Sequence, residues 1–376
     1  MTLTVLHLVA NRWWTGSADP VIRLIQGLRA RGHTVHLGLI PGNRFEAKAR
    51  EAGIEPVNGL SLEAGLHPLG LVRDIVRLRR LVRSEGVDVV HVHHSHDHWL
   101  GQVARGTAKL ARTFHNHRSV SVSWPARALY RRADALIAVS RPIEERCRQT
   151  RVAAARVFRV EGVVEVERFS QPGGGAEVRR ELGIGAGPVI GSVSRLAHNR
   201  GHEVLIRGFG RLLADYPEAR LLLVGKGEAR PKLEAMVSQL GLRERVLFTG
   251  YRDGDLPAVL QALDAFVLMG AGSDESCRAA LEAMAAARPV VARRVGALPD
   301  AVAHGTTGLL LDDDRPESLD AALRRLLSDP SRARQMGEAG RRRALEAFSP
   351  ERHAADVEAI YRTVLDRRAT AGRATR

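Results

Sequence analysis

Two doubly wound α/β domains are the fold this sequence predicts, on three observations. Short apolar runs alternate with longer helical patterns along nearly the whole chain, as parallel βαβ units require. The alternating series occurs twice, with one compact Pro/Gly-rich stretch between the two copies. A length of 376 residues, 44% of them apolar, exceeds what a single core organises and suffices for two.

In the first series TVLHLVA, TVHLGLI, VDVVHVH, ARTFH and ALIAVS read as strands. Their Val, Leu and Ile runs lack strict alternation, which suits strands covered on both faces. Between them, PVIRLIQGLRARGH places Val21, Ile22, Ile25 and Leu28 at helical spacing, with Gly32 as the stop. LVRDIVRLRRLVRSEG repeats the scheme. The second series runs through GPVIGSVSRL, ARLLLVG, RVLFTG, AFVLMG, PVVARR and GLLL, each followed by a helical pattern. VFRVEGVVEVERFSQPGGGAEV separates the series, and Pro172 with Gly173, Gly174 and Gly175 marks the expected linker. The expected domains are therefore residues 1–170 and 176–350. A last helix over 351–368 has no strand after it and is expected to pack back on the first domain, with the tail ATAGRATR fraying.

Composition narrows the partners. Cys147 and Cys277 lie far apart with no CxxC or metal-ligand spacing, so a reducing, cytoplasmic setting is expected. The N-terminal MTLTVLHLVA is too short for a signal core and lacks a basic leader. No window reaches the roughly 18 to 20 apolar residues of a membrane span. The net charge of +15 is uneven: residues 1–170 hold 26 Lys and Arg against 15 Asp and Glu, an excess of +11. Either an Arg-rich solvated surface or a functional basic face explains this, and the latter predicts peripheral contact with an anionic membrane. Aromatics at 4% and the lack of a reading motif argue against nucleic acid.

Two such domains facing across a cleft are expected to bind ligands at the carboxyl ends of their sheets. Neither HLVANRWWTGSADP nor LLLVGKGEARP carries the GxGxxG that a dinucleotide dehydrogenase needs after a strand. The stretches SRLAHNRGHEVLIRGF and DESCRAALEAMAAARPVVA instead resemble the retaining, GT-B-fold glycosyltransferases of the large family 4 type, which includes bacterial sugar transferases of glycolipid and lipopolysaccharide assembly. That family typically carries G-R-L-x-x-x-K-G-x-x-x-L-I and an E-x7-E motif ending in L-E-A-M-A-x-G-x-P-V-V. The resemblance spans nearly the whole chain and is strongest over 188–312.

It implies a hexosyltransferase-like enzyme using a nucleotide diphosphate sugar and a glycan or glycolipid acceptor in the cell envelope, with no cofactor and no catalytic metal. Arg195 matches the family arginine, and Arg200 stands where a lysine is usual; both are expected to face the donor diphosphate. Fixed cations stabilise the charge a leaving nucleoside diphosphate gains, and arginine can grip phosphate bidentately where lysine acts as a point charge. Counting back from Glu282 reaches Asp274, so the second motif reads D-x7-E, with Glu275 as an adjacent substitute. By resemblance the first acid contacts the transferred sugar and Glu282 the ribose. Ser276, Cys277, Arg278 and Ala279 open a helix whose N–H groups can cradle phosphate or sugar; a plain helix capped by Asp274 or Ser276 is the competing reading.

The resemblance also assigns Tyr251 and Arg252 to the nucleobase, Gly225 and Lys226 to the donor site, and Gly16 to a Gly-rich loop, here with one glycine of the usual pair. Lys226 reads equally as a surface lysine, and Trp13 and Trp14 as sugar-stacking or loop-packing groups. His115, matching a T-F-H pattern, is expected to reach the transferred sugar, flanked by His117 and Arg118. In HVHHSHDHWLG, the residues His91, His93, His94, His96, Asp97 and His98 admit metal ligation, cleft-lining hydrogen bonds or structural roles; no metal is assigned. Two rivals remain: a nucleotide-sugar epimerase on the same architecture, and a non-catalytic nucleotide-sugar-binding scaffold.

Overall fold

The structure, a computed structural model, describes residues 1–11, 18–63, 68–171, 173–252, 254–272 and 275–373, the side chains of 68 and 368–373 excepted. In chain order its main elements are β1 (Thr4–Val9), α1 (Asp19–Ala30), β2 (Thr34–Leu39), α2 (Arg44–Glu51), α3 (Pro68–Ser84), β3 (Val89–Val92), α4 (Ser95–Ala104), β4 (Lys109–Phe114), α5 (Trp124–Tyr130), β5 (Ala135–Ala138), α6 (Arg141–Gln149) and β6 (Val157–Arg159). There follow α7 (Val166–Ser170), α8 (Gly175–Glu181), β7 (Val189–Val193), α9 (His202–Leu212), β8 (Arg220–Val224), α10 (Arg230–Gln239), β9 (Val246–Gly250), α11 (Leu256–Gln261), β10 (Ala265–Leu268) and α12 (Arg278–Ala285). The chain closes with β11 (Val290–Arg293), α13 (Leu298–Ala301), β12 (Gly308–Leu311), α14 (Pro316–Leu327), α15 (Pro330–Ala347) and α16 (Pro350–Arg373).

Two compact units result: Met1–Glu161 with Ser273–Glu275 and Pro350–Arg376, and Gly162–Gly272 with Ser276–Ser349. Each holds a six-stranded sheet, ordered β2-β1-β3-β4-β5-β6 in the first and β12-β11-β10-β7-β8-β9 in the second. The strand pairings are parallel. β3, β5, β10 and β12 are buried at every position, as expected of strands covered by helices on both faces.

In the first unit one core is closed by Ile22, Ile25 and Leu28 of α1 with Ala354, Val357, Ile360 and Tyr361 of α16. The opposite face is closed by Leu78 and Val82 of α3, Leu100 of α4 and Ile143 of α6. In the second unit α8, α11 and α12 cover one face through Val178, Val259 and Leu281. There α9, α10 and α14 cover the other through Ile206, Leu233 and Leu323.

Each run read as a strand forms one. The stretch read as the linker contains the division between the units, at Glu161/Gly162, and also the three-residue edge strand β6, too short to show periodicity, which pairs with β5. Two of the glycines beyond it are packing positions: a Cβ on Gly174 would lie 2.6 Å from the Ala258 Cβ and one on Gly175 2.9 Å from the carbonyl of Gln261, so glycine there lets α8 seat against α11, whereas a Cβ on Gly173 would meet nothing within 4 Å. α16 continues to Arg373, through residues expected to fray.

The strand orders place the features that matter. In the first unit the direction of winding reverses between β1 and β3, in the second between β7 and β10. Open sheets of this kind bind ligands at the loops after the strands where the winding reverses.

Candidate active site

In the second unit the β7 loop carries Arg195 and Arg200, and the β10 loop faces it. Arg200 donates from Nη1 to the Ala271 carbonyl at 3.2 Å. Its guanidinium lies where a Cβ on Gly272 would stand, 1.6 Å from Nη1, and Gly272 has φ +74°. The backbones of the two loops meet at Gly270, where a Cβ would stand 2.7 Å from the Asn199 carbonyl and 3.0 Å from Arg200 Cα, so glycine there lets the loops pack together. Arg195 forks onto Glu228 Oε2 through Nε and Nη2 at 3.2 and 2.9 Å, with both side chains more than half exposed. Such a pair is worth little in water, and a stronger anion can take the guanidinium over. Gly225, directly after β8, has φ +142°, and a Cβ there would stand 2.0 Å from the Ser194 carbonyl. Lys226 is exposed, while its carbonyl accepts from Leu196 N at 3.0 Å.

α12 begins at Arg278 with Cys277 as its N-cap, in left-handed backbone (φ 53°) and without a side-chain cap. Ser276, Cys277 and Glu282 are buried, Arg278 and Ala279 half-buried. Glu282 Oε1 stands 3.1 Å from Arg278 Nε. Tyr251 is 46% exposed after β9. Arg252 is held by Glu181 at 2.7 and 2.9 Å and by Asp255, and those carboxylates raise its pKa further. Asp274, Gly16, Trp13 and Trp14 lie outside the described residues.

In the first unit four histidines gather in the sheet interior near its carboxyl edge. His7 Nδ1 meets His93 Nε2 at 3.2 Å, and His93 Nδ1 meets His115 Nε2 at 3.3 Å. His91 bonds Tyr361 Oη at 2.6 Å through Nδ1 and Thr113 Oγ1 at 2.8 Å through Nε2. Burial lowers all four, His7 and His115 to about 3, so they are neutral. Ligand nitrogens of His7, His91 and His93 come within 4.8 Å of one another, but those of His91 are already engaged.

The rest of the histidine run disperses, since a strand gives way to a helix inside it. His94 caps α4. Asp97 accepts from the amides of His93, His94 and Ala10 at 3.2, 2.7 and 3.3 Å, tying the ends of β1 and β3 together. Although its burial pulls upward, His94, Arg112 and the His93 amide hold its pKa below the ordinary value. His98 bonds Arg112 Nη1 at 3.0 Å, and His96 is half-buried.

Glu275, considered as a sugar ligand, belongs by its contacts to the first unit. Its amide donates to the His115 carbonyl at 2.9 Å, and its carboxylate accepts from His117 N at 2.7 Å and Ser140 Oγ at 2.9 Å and meets the His117 ring. It thus braces the loop that carries His115. Arg118, beside it, is exposed.

Two family profiles cover most of the chain: Glycosyltransferase Family 4 over residues 15–168 and Glycosyl transferases group 1 over residues 176–343. A GDP-mannose-dependent alpha-(1-6)-phosphatidylinositol monomannoside mannosyltransferase of Mycolicibacterium smegmatis is 35% identical over 265 residues, 66% of this chain and 69% of that protein. The chain belongs to glycosyltransferase family 4. Another relative of this glycosyltransferase, a D-inositol 3-phosphate glycosyltransferase of Corynebacterium urealyticum, is 36% identical over 56% of this chain and 52% of its own length. The GT-B fold is shared with Anabaena Alr3699/HepE, crystallised in complex with UDP, at a TM-score of 0.83 and 20% identity over 96% of this chain and all of that one.

Sequence reasoning missed three contributors to the glycosyltransferase's candidate site: His7, Ser140 and Glu228. For His7 a signal existed, a histidine inside the apolar strand TVLHLV. Ser140 and Glu228 are unremarkable in sequence, and only their spatial neighbours single them out.

Proposed function

We propose that this glycosyltransferase moves a hexosyl group from a nucleoside diphosphate sugar, bound by the second unit, to an acceptor hydroxyl, with retention of anomeric configuration and without a divalent metal. The observation that carries the reading is Arg200, lying over the Gly272 backbone with Nη1 on the Ala271 carbonyl at the β7/β10 reversal, with Arg195 on the same loop. A diphosphate there meets two guanidinium cations, Arg200 on the Ala271 carbonyl and Arg195 drawn from Glu228, and they stabilise the leaving group increasingly as the glycosidic bond breaks. A phosphate oxygen of the departing diphosphate takes the acceptor proton, so no enzymic nucleophile is needed.

Glu282 is assigned to the ribose, Tyr251 and Arg252 to the base, and Asp274 to the transferred sugar. His115, neutral through burial, offers a hydrogen bond to a sugar hydroxyl without placing positive charge near an oxocarbenium-like centre. The relatives' names make GDP-mannose the first donor to try and inositol-bearing glycolipids the first acceptors, with a place in cell-envelope glycan synthesis.

Peripheral membrane contact belongs to the same reading. Among the described residues no helix is long and apolar enough to cross a membrane. Yet Leu69, Val72 and Val76 of α3 are 86%, 57% and 49% exposed, and Arg73, Arg77 and Arg80 beside them are exposed too. Apolar side chains among arginines on one helix suit an anionic lipid surface.

The test is a thermal-shift panel of GDP-, UDP- and ADP-sugars, followed by transfer assays with and without EDTA and proton NMR of the product anomer. Stabilisation by one donor, EDTA-resistant transfer and a retained anomer are expected. Failure of every nucleotide sugar to bind would overturn the donor assignment; EDTA-sensitive turnover or an inverted product would overturn the corresponding part of the mechanism.

A further inference from the structure

Four buried histidines lie in or directly after strands of a parallel sheet, His7 and His91 within β1 and β3 and His93 and His115 just past the ends of β3 and β4, and they are not equivalent. His91 is satisfied at both nitrogens, by Tyr361 and Thr113. His7, His93 and His115 instead form a linear chain, ring nitrogen to ring nitrogen, across β1, β3 and the end of β4. The three are 0%, 5% and 9% exposed. Both ends of the chain are open: His7 Nε2 and His115 Nδ1 are buried with no hydrogen-bond partner among the described residues. Open polar ends in a packed interior are costly, and a chain that terminates on the candidate sugar contact gives one of them a use.

We propose that His93 and His7 are positioning residues that set, through two imidazole hydrogen bonds, the tautomer in which His115 presents Nδ1 to the sugar. The inference rests on the reading of His115 under Proposed function.

A neutral imidazole carries one N–H, so the chain has two arrangements that satisfy both bonds. If His7 donates from Nδ1, then His93 accepts at Nε2, donates from Nδ1 to His115 Nε2, and leaves His115 with a donor at Nδ1. If His115 donates from Nε2, then His93 accepts at Nδ1, donates from Nε2 to His7 Nδ1, and leaves His115 with a lone pair at Nδ1. In either case all three histidines share one tautomer. The hydrogen bond that His115 offers is therefore coupled to the tautomers of two side chains behind it. Asp97 supports the arrangement by binding the His93 amide, which fixes the strand end from which that ring projects.

The test uses the full chain with 15N-labelled histidine. Ring-nitrogen NMR distinguishes protonated from unprotonated Nδ1 and Nε2, and His7, His93 and His115 are expected to show the same tautomer. A mixed set, or an imidazolium among them at neutral pH, would overturn the relay. His93→Phe retains the ring while deleting both bonds. It is expected to alter the His115 tautomer and to lower kcat by roughly 10- to 100-fold, as misoriented catalytic contacts do, leaving donor KM nearly unchanged. His93→Gln is expected to recover part of that rate. A His93→Phe enzyme turning over at the wild-type rate would overturn the positioning role. His115→Ala separates the two readings: wild-type turnover in that variant would sink the sugar contact itself, whatever the spectra show of the relay.

Discussion

Acid should unfold the first unit early, and the buried histidines determine how early. Burial holds His7 and His115 at about 3; His98 is also lowered to about 3 by burial and the neighbouring Arg112. In the unfolded chain each titrates near 6.5. Between those values the unfolded state binds protons that the native state refuses, so the stability is complete above pH 6.5 and is lost as the pH falls.

At pH 5.5, one unit below the unfolded pKa, each histidine costs about 1.4 kcal/mol and the three together about 4 kcal/mol. His91 and His93, also lowered, act in the same direction. For a unit of this size about 4 kcal/mol corresponds to a fall in Tm of roughly 8 to 16 °C. The second unit, where burial lowers His202 to about 4, should shift less. Scanning calorimetry at constant ionic strength, from pH 7.5 to 5.5, resolves this, and His7→Leu should reduce the proton uptake on unfolding by about one. A first-unit midpoint that moves by less than about 2 °C over that range would refute the reasoning.

Other substitutions probe the loops after β7 and β8 and the exposed apolar side chains of α3. Arg200→Ala should lower kcat/KM by on the order of 10²-fold, as loss of a fixed charge-stabilising group does, and Arg200→Lys by less; steady-state kinetics with the accepted donor checks both. Gly225→Ala places a Cβ 2.0 Å from the Ser194 carbonyl at φ +142°, so it should destabilise the second unit by about 1–3 kcal/mol, read by urea unfolding, and weaken donor binding. Replacing Leu69, Val72 and Val76 by serine should reduce co-sedimentation with phosphatidylserine vesicles while leaving Tm nearly unchanged, because these side chains are already exposed. Salt should weaken the binding that remains.

The sequence by itself determined the architecture. Unbroken Val, Leu and Ile runs between amphipathic segments specify strands buried on both faces, and each such run became a strand in one of two parallel sheets. It also pointed to the β7 and β10 loops, because the arginines and the helix start of the candidate donor site lie within short contiguous motifs. What it could not show was anything assembled from separate strands. Within the Pro/Gly-rich stretch, packing glycines and open ones are identical in sequence; only the Gln261 backbone beside Gly175 distinguishes that glycine from Gly173, where a Cβ would meet nothing within 4 Å. HVHHSHDHWLG looked like one cluster, yet it divides into sheet interior, helix cap and arginine partner. His7 joined His93 only because β1 and β3 are paired in register, a contact between residues 86 positions apart. Periodicity and motif reside in neighbouring residues, whereas the tautomer of a buried imidazole depends on what the fold brings against it.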